Sequence, residues 1–233
     1  MAKPSHSAEA EEESLKLVED FVDELSGALN SLGGVKPVMI VDTYRFRSAK
    51  HLHRAVAGFA FLRRPGLVDS SKFLVRPALE MAFKLQAVRL HPEMFFRIAH
   101  EERRQDRHLM QGQPELQEES DKNWERFKAA FAKDYPAIPI PNLCDRCDRL
   151  SIARVAEKAE MKPYYDSHYR IYSRYTHGAL QASAGNIDEV TNPADNPTMA
   201  ICGLVALDNL ISFGAKSANH DTLVERLERV SLR

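Results

Sequence analysis

Apolar residues recur at helical spacing along most of the chain. Leu15, Val18, Val22, Leu25, Leu29 and Leu32 are spaced 3-4-3-4-3, an a/d-type seam that predicts a helix from about Ala8 to Leu32. Gly33 and Gly34 end it, and residues 1–7 form a tail. The seam suits packing inside the fold and also suits packing against a second copy, so residues 8–34 are a candidate dimerisation arm. Val35 to Val41 is an extended connector with Pro37. A second helix follows from Asp42, its expected N-cap, to Arg64, and Arg63 to Gly66 reads as a turn. A third runs from Asp69–Ser71 to Leu90, kinked or restarted at Pro77. Pro92 and Pro114 each open a helix at its first position. The second of these runs to Asp134 with Trp124, Phe127 and Phe131 on its apolar side.

Tyr135 to Cys147 holds three prolines and is irregular. Asp148 is expected to cap a short helix to Met161, and Pro163 to open a tyrosine-rich one. Asn186 to Asn196 reads as a polar loop, and Pro197 as the start of an apolar core helix. Asp221 to Leu232 reads as a short amphipathic helix. The expected fold is all-α, a single domain over 8–233 with about eight helices. The helices carrying Arg76 and Glu80, Tyr169 to His177, and Met199 to Ala215 lie at its centre.

Composition narrows the function classes. With 233 residues and 44% hydrophobic content the chain can bury a sizeable core. Its formal net charge of −1 provides no global field for nucleic acid, so an RNA contact has to be local, and no DNA-binding motif is present. The mixed-charge run around Arg97 to His108 reads as a solvated face. The start, Met1 to Ser14, is acidic and lacks the apolar core of a signal peptide. Met199 to Ala215 is broken by Asp208 and Asn209 and falls short of the roughly 20 apolar residues of a membrane span. Three cysteines make no disulfide framework and point to a reducing, cytoplasmic setting. Cys144-x-x-Cys147 supplies two of the four ligands zinc needs, with no second pair to complete them. No cofactor is expected, and a zinc site at this pair, completed by His51, His53, His168 or His177 if the fold brings them close, stays a third possibility. Glycine-rich phosphate loops, H-E-x-x-H and G-x-S-x-G are absent, which leaves phosphoryl-transfer, metalloprotease and serine-hydrolase chemistry unsupported.

One stretch carries candidate chemistry. Pro163 to Gly185 holds five of the seven tyrosines. On a helix, Asp166, Arg170, Ser173, Arg174 and His177 share one face, and Tyr165, Tyr169, Tyr172, Thr176 and Leu180 share the next. Metal-free RNA cleavage needs a base for the 2′-hydroxyl and a cation for the developing phosphorane charge. His177 can be the base; Arg170 and Arg174 can be the cations, with Ser173 on the phosphate or on the imidazole. Arg76 and Glu80, four residues apart on an apolar helix, can orient this stripe or form an ion pair of their own. The same residues also suit a buried polar network, with His177 held by Glu80 and Arg170 by Asp166. The tyrosines are core residues or stacking platforms for bases.

Two resemblances rest on these residues. Arg76-x-x-x-Glu80 followed by Tyr169-x-x-x-Ser173-x-x-x-His177 resembles a bacterial all-helical family of unknown function, over roughly residues 45–215. Arg170-x6-His177, with Glu80 as the acidic partner, resembles the R-x(4–6)-H signature of the HEPN superfamily, helical bundles that include metal-independent endoribonucleases of stress response and phage defence. Ile171 departs from the polar residue usual after the arginine. This second resemblance implies RNA as partner and a homodimer with both motifs lining one cleft. The alternative is a non-catalytic helical module that binds a protein or a ligand.

Overall fold

The computed structural model describes residues 6–63, 67–143, 148–176 and 186–231; within these, side chains 6–8, 69, 174–176 and 186–193 are not described. Among the described residues the secondary structure is entirely helical. In order, the helices are α1 (His6–Ser31), α2 (Ile40–Leu62), α3 (Val68–Leu90), α4 (Glu93–Leu109), α5 (Pro114–Asp134) and α6 (Ile152–Lys158). Then come α7 (Lys162–Tyr164), a π-helical turn (Tyr165–Tyr169), α8 (Arg170–Thr176), α9 (Asn186–Ser212) and α10 (His220–Ser231). No described helix is long and apolar enough to cross a membrane.

The centre of the fold is α9, which packs on α1, α2 and α3. Its apolar run makes this possible, because Met199, Ala200, Ile201, Cys202, Val205, Ala206, Leu207 and Leu210 are buried around most of its circumference. The seam of α1 turns inward onto α9 and α2, with Val18, Leu25 and Leu32 buried and Phe21 completing the face. Gly203 lets α1 and α9 approach closely: a Cβ there would stand 3.0 Å from the Cβ of Phe21 and 3.1 Å from its Cγ. Outside this core, α4 and α5 enclose an aromatic cluster. Trp124 stacks on Phe127 at 5.1 Å, and Phe96 meets Trp124 at 5.0 Å. The short helices α6 and α8 lie on α3.

Several elements differ from the sequence reading, each for a physical reason. Residues 186–196 are helix, not loop, and Pro197 lies inside α9 rather than at its start. A proline in a helix interior loses one backbone bond, a cost that tertiary contacts can offset. Here the side chains of Asp195 and Asn196 are buried in bonds to other helices, and the Thr198 hydroxyl donates to the Ala194 carbonyl at 2.6 Å. Pro77 likewise sits within the unbroken α3. Asp42 does not cap α2: Met39 is the N-cap residue, and the Ile40 amide donates at 2.7 Å to Asp134, at the far end of α5. Pro92 is the N-cap of α4, one position before its first residue. Ser151, not Asp148, caps α6, accepting from the Arg154 amide at 3.3 Å. That helix stops at Lys158, and Glu160 turns the chain in the left-handed region at φ 59°. Residues 1–5, the bulk of the expected tail, lie outside the described residues.

Replacing Gly203 with valine should force α1 and α9 apart. The expected cost is about 2–3 kcal/mol, read as a fall of roughly 5–10 °C in melting temperature. An unchanged melting temperature would show that the close approach does not matter.

Candidate functional site

A phase shift shapes the tyrosine-rich segment. The π-helical turn Tyr165–Tyr169 adds a residue to the helical repeat, so residues on either side of it do not share the face a regular helix would give them. Asp166 is bonded back to Lys162 at 2.5 Å and does not reach forward to Arg170. Tyr169 is buried and stacks on Tyr165 at 5.1 Å, while Arg170 stands exposed. The expected stripe from Asp166 through Arg170 is thus broken at its first step. Ser173 is half-buried on α8 and has a bonding partner. His177, Leu180, Cys144 and Cys147 lie outside the described residues, as do the side chains of Arg174 and Thr176.

The expected Arg76, Glu80 and Tyr169 do come together. Glu80 Oε1 accepts from the Tyr169 hydroxyl at 2.6 Å and from Arg76 Nε at 3.1 Å. The Arg76 guanidinium carbon lies 5.6 Å from the centre of the Tyr169 ring, and Phe83 meets that ring in a T-shaped contact at 6.1 Å. Burial, and then the bond to Glu80, push the Tyr169 phenol up to about 12, so it remains a proton donor at neutral pH. Arg76 and Glu80 also line a cleft of about 330 Å³ with Lys84, Glu101, Glu102 and Gln105. The charges in that cleft are matched: Lys84 bonds Glu102 at 2.7 Å, and Glu101 takes Arg104.

A second network was not legible in the sequence. The Tyr172 hydroxyl donates to one oxygen of Asp195, and Arg63 Nη1 donates to the other at 3.0 Å. Arg63, Asp195, Tyr172, Asn196 and Lys72 are all nearly or wholly removed from solvent. Arg63 reaches Glu11 at 3.1 Å, and Asn196 donates to Ser14 at 3.0 Å. Five helices, α1, α2, α3, α8 and α9, therefore contribute side chains to one buried polar centre. Burial pushes the Asp195 carboxyl up to about 6, against the pull of the Tyr172 hydroxyl, Arg63 and Lys72. Burial, reinforced by the Asp195 charge, pushes the Tyr172 phenol far up. The expectation of core tyrosines holds for Tyr169 and Tyr172, whose rings are not free to stack on bases. Arg63 had read as a turn residue and Asp195 as a loop residue; nothing local pairs two residues 132 apart in sequence. Among the described residues no cluster of three or more His, Cys, Asp or Glu is arranged to hold a metal ion.

Residues 47–194 match the model of the Family of unknown function (DUF5677). The chain belongs to this family. No curated protein and no solved structure matches it. The DUF5677 match spans both halves of the Arg76–Glu80–Tyr169 cluster, together with Arg63, Lys72 and Tyr172 of the buried network. It stops one residue before Asp195, so the DUF5677 region meets the remainder of α9 at the centre of that network.

The raised Asp195 gives a signed pH dependence. A carboxyl whose folded value lies above its unfolded one binds protons more tightly in the native state, so its contribution to stability grows as pH falls from above 6 towards 4. The excess stability of wild type over Asp195→Asn should therefore rise by roughly 1 kcal/mol between pH 7 and pH 5 in denaturant titrations. A constant difference, or one that shrinks on acidification, would show that Asp195 is ionised throughout this range.

Proposed function

We propose that this DUF5677 chain is a HEPN-like, metal-independent RNA-cleaving protein of the reducing cytoplasm, acting in stress response or defence, with the reacting groups on and just beyond α8. One observation carries the reading. Tyr169 and Tyr172 are tied to Glu80 and Asp195, while Arg170, between them in the chain, stands in solvent with no ion pair among the described residues. A clamped helix that presents an unpaired guanidinium suits a phosphate-holding role. His177, seven residues after Arg170, is the general base. It takes the proton of a 2′-hydroxyl; that oxygen attacks the adjacent phosphorus, and the 5′-oxygen leaves and takes up a proton. The products are a 2′,3′-cyclic phosphate and a free 5′-hydroxyl, with no metal required. Arg170 and Arg174 hold the phosphate and Ser173 hydrogen-bonds within the site. Glu80 and Arg76 act as positioning residues through Tyr169. A homodimer brings two such motifs to one cleft.

The second reading is a non-catalytic helical module that binds a protein or a ligand. The observation favouring it is that one oxygen of Glu80 accepts from both Tyr169 and Arg76, as a structural carboxylate would.

Incubation with mixed RNA in excess EDTA, with thermal melting in parallel, separates the two. The ribonuclease reading expects wild type to produce fragments with cyclic phosphate ends. His177→Ala and Arg170→Ala should lose at least about 100-fold in rate with melting temperatures unchanged. No cleavage by wild type, or full cleavage by His177→Ala, would remove the reading and leave the binding module.

A further inference from the structure

The chain's single tryptophan, Trp124, stands in the wall of a cavity of about 270 Å³ between α4, α5 and the irregular segment after α5. Phe96 and Ile140 give this cavity an apolar side, and Asn142 adds an amide. Among the described residues the ionisable ones of its lining are His100, Arg103 and Lys128, with no carboxylate. An adjoining cavity shares Trp124 and Arg103 but is lined by Glu102, Asp106 and Glu119, so the two spaces are sorted by charge.

The two lining cations reach carboxylates on the outer side of the helices. Arg103 bonds Asp121 at 2.5 Å, and Arg107 lies 3.9 Å from the same carboxylate. Lys128 bonds Glu125 at 2.7 Å. Both carboxylates are substantially exposed and lie outside the described cavity lining, so these pairs are screened by solvent. The Arg103 guanidinium carbon lies 5.3 Å from the centre of the Trp124 ring, which fixes the side chain against the aromatic wall. Its Nε–H is buried without an acceptor among the described residues.

We propose that this cavity binds a small aromatic carboxylate, its ring against Phe96 and Trp124 and its carboxylate on Arg103 and Lys128. Its size excludes bulkier ligands: it falls just below the roughly 300–1,000 Å³ of pockets that take drug-sized molecules, which suits a single ring and not a nucleotide. Its aromatic wall would be wasted on inorganic phosphate, which has no apolar surface to bury.

Trp124 is its own reporter. Its fluorescence is titrated at constant ionic strength with sodium benzoate, with benzamide as the uncharged analogue and with sodium phosphate. The expected result is a saturable change with benzoate and at least tenfold weaker binding of both benzamide and phosphate. Lys128→Glu, on a partly exposed side chain, should weaken benzoate at least tenfold with an unchanged melting temperature. Arg103→Gln should do the same where melting shows it folded. Benzamide binding as tightly as benzoate would make this a plain apolar pocket, and phosphate binding more tightly would make it a simple anion site. A non-saturating signal that is identical in Lys128→Glu would be collisional quenching. Each of these three results overturns the proposal.

Discussion

The arrangement of helices depends on one buried ion pair. Arg63 ends α2 and Asp195 lies within α9, and neither has water to fall back on. A charge in a low-dielectric interior is tolerated only when its partners are fixed in place. Arg63 fixes Asp195, Asp195 accepts from Tyr172, and Tyr172 thereby holds α8 against the core. Glu11, Ser14 and Asn196 extend the same bonding to α1. The apolar packing of α1, α2, α3 and α9 supplies most of the driving force for folding. The polar centre adds direction, since its bonds join these helices at fixed points. The presence of helix through 186–196, where Pro193 and a run of polar residues suggest a loop, follows from the same demand.

The all-helical architecture was legible because it follows from local spacing. The α1 seam, the proline that opens α5 and the amphipathic α10 each announce themselves within a dozen residues. Of the α1 seam, Val18, Leu25 and Leu32 are buried within the chain, with Phe21 seated on Gly203. Helix caps were less legible, since the amide at the start of α2 is satisfied by Asp134, 94 residues away. Arg76, Glu80 and Tyr169 were found because two of them sit four apart on an apolar helix and the third belongs to a dense tyrosine run. Arg63 and Asp195 were missed because each resembles ordinary turn chemistry beside a proline, and their meaning lies only in each other. The π-helical turn was invisible too, since periodicity arguments assume an unbroken 3.6-residue repeat.

The two clusters divide the work of positioning α8. Glu80 and Arg76 grip the residue just before it, and Asp195 grips its middle through Tyr172. Both grips lie on the inner side, which leaves Arg170 to solvent. This asymmetry links the fold to any surface chemistry of α8, whether the occupant of that surface is a phosphate or a partner protein. It also separates α8 from the aromatic cavity around Trp124, whose walls come from α4, α5 and the segment that follows.

The central claim is that Arg63 and Asp195 act as a unit on which the helix placement depends. A double-mutant cycle with Arg63→Met and Asp195→Leu, followed by denaturant unfolding, tests it most directly. Each single change strands a buried charge and should cost about 3–5 kcal/mol. The double change should cost less than their sum by about 2 kcal/mol or more. Additive costs would contradict the account, because the two residues would then stabilise the fold independently of each other.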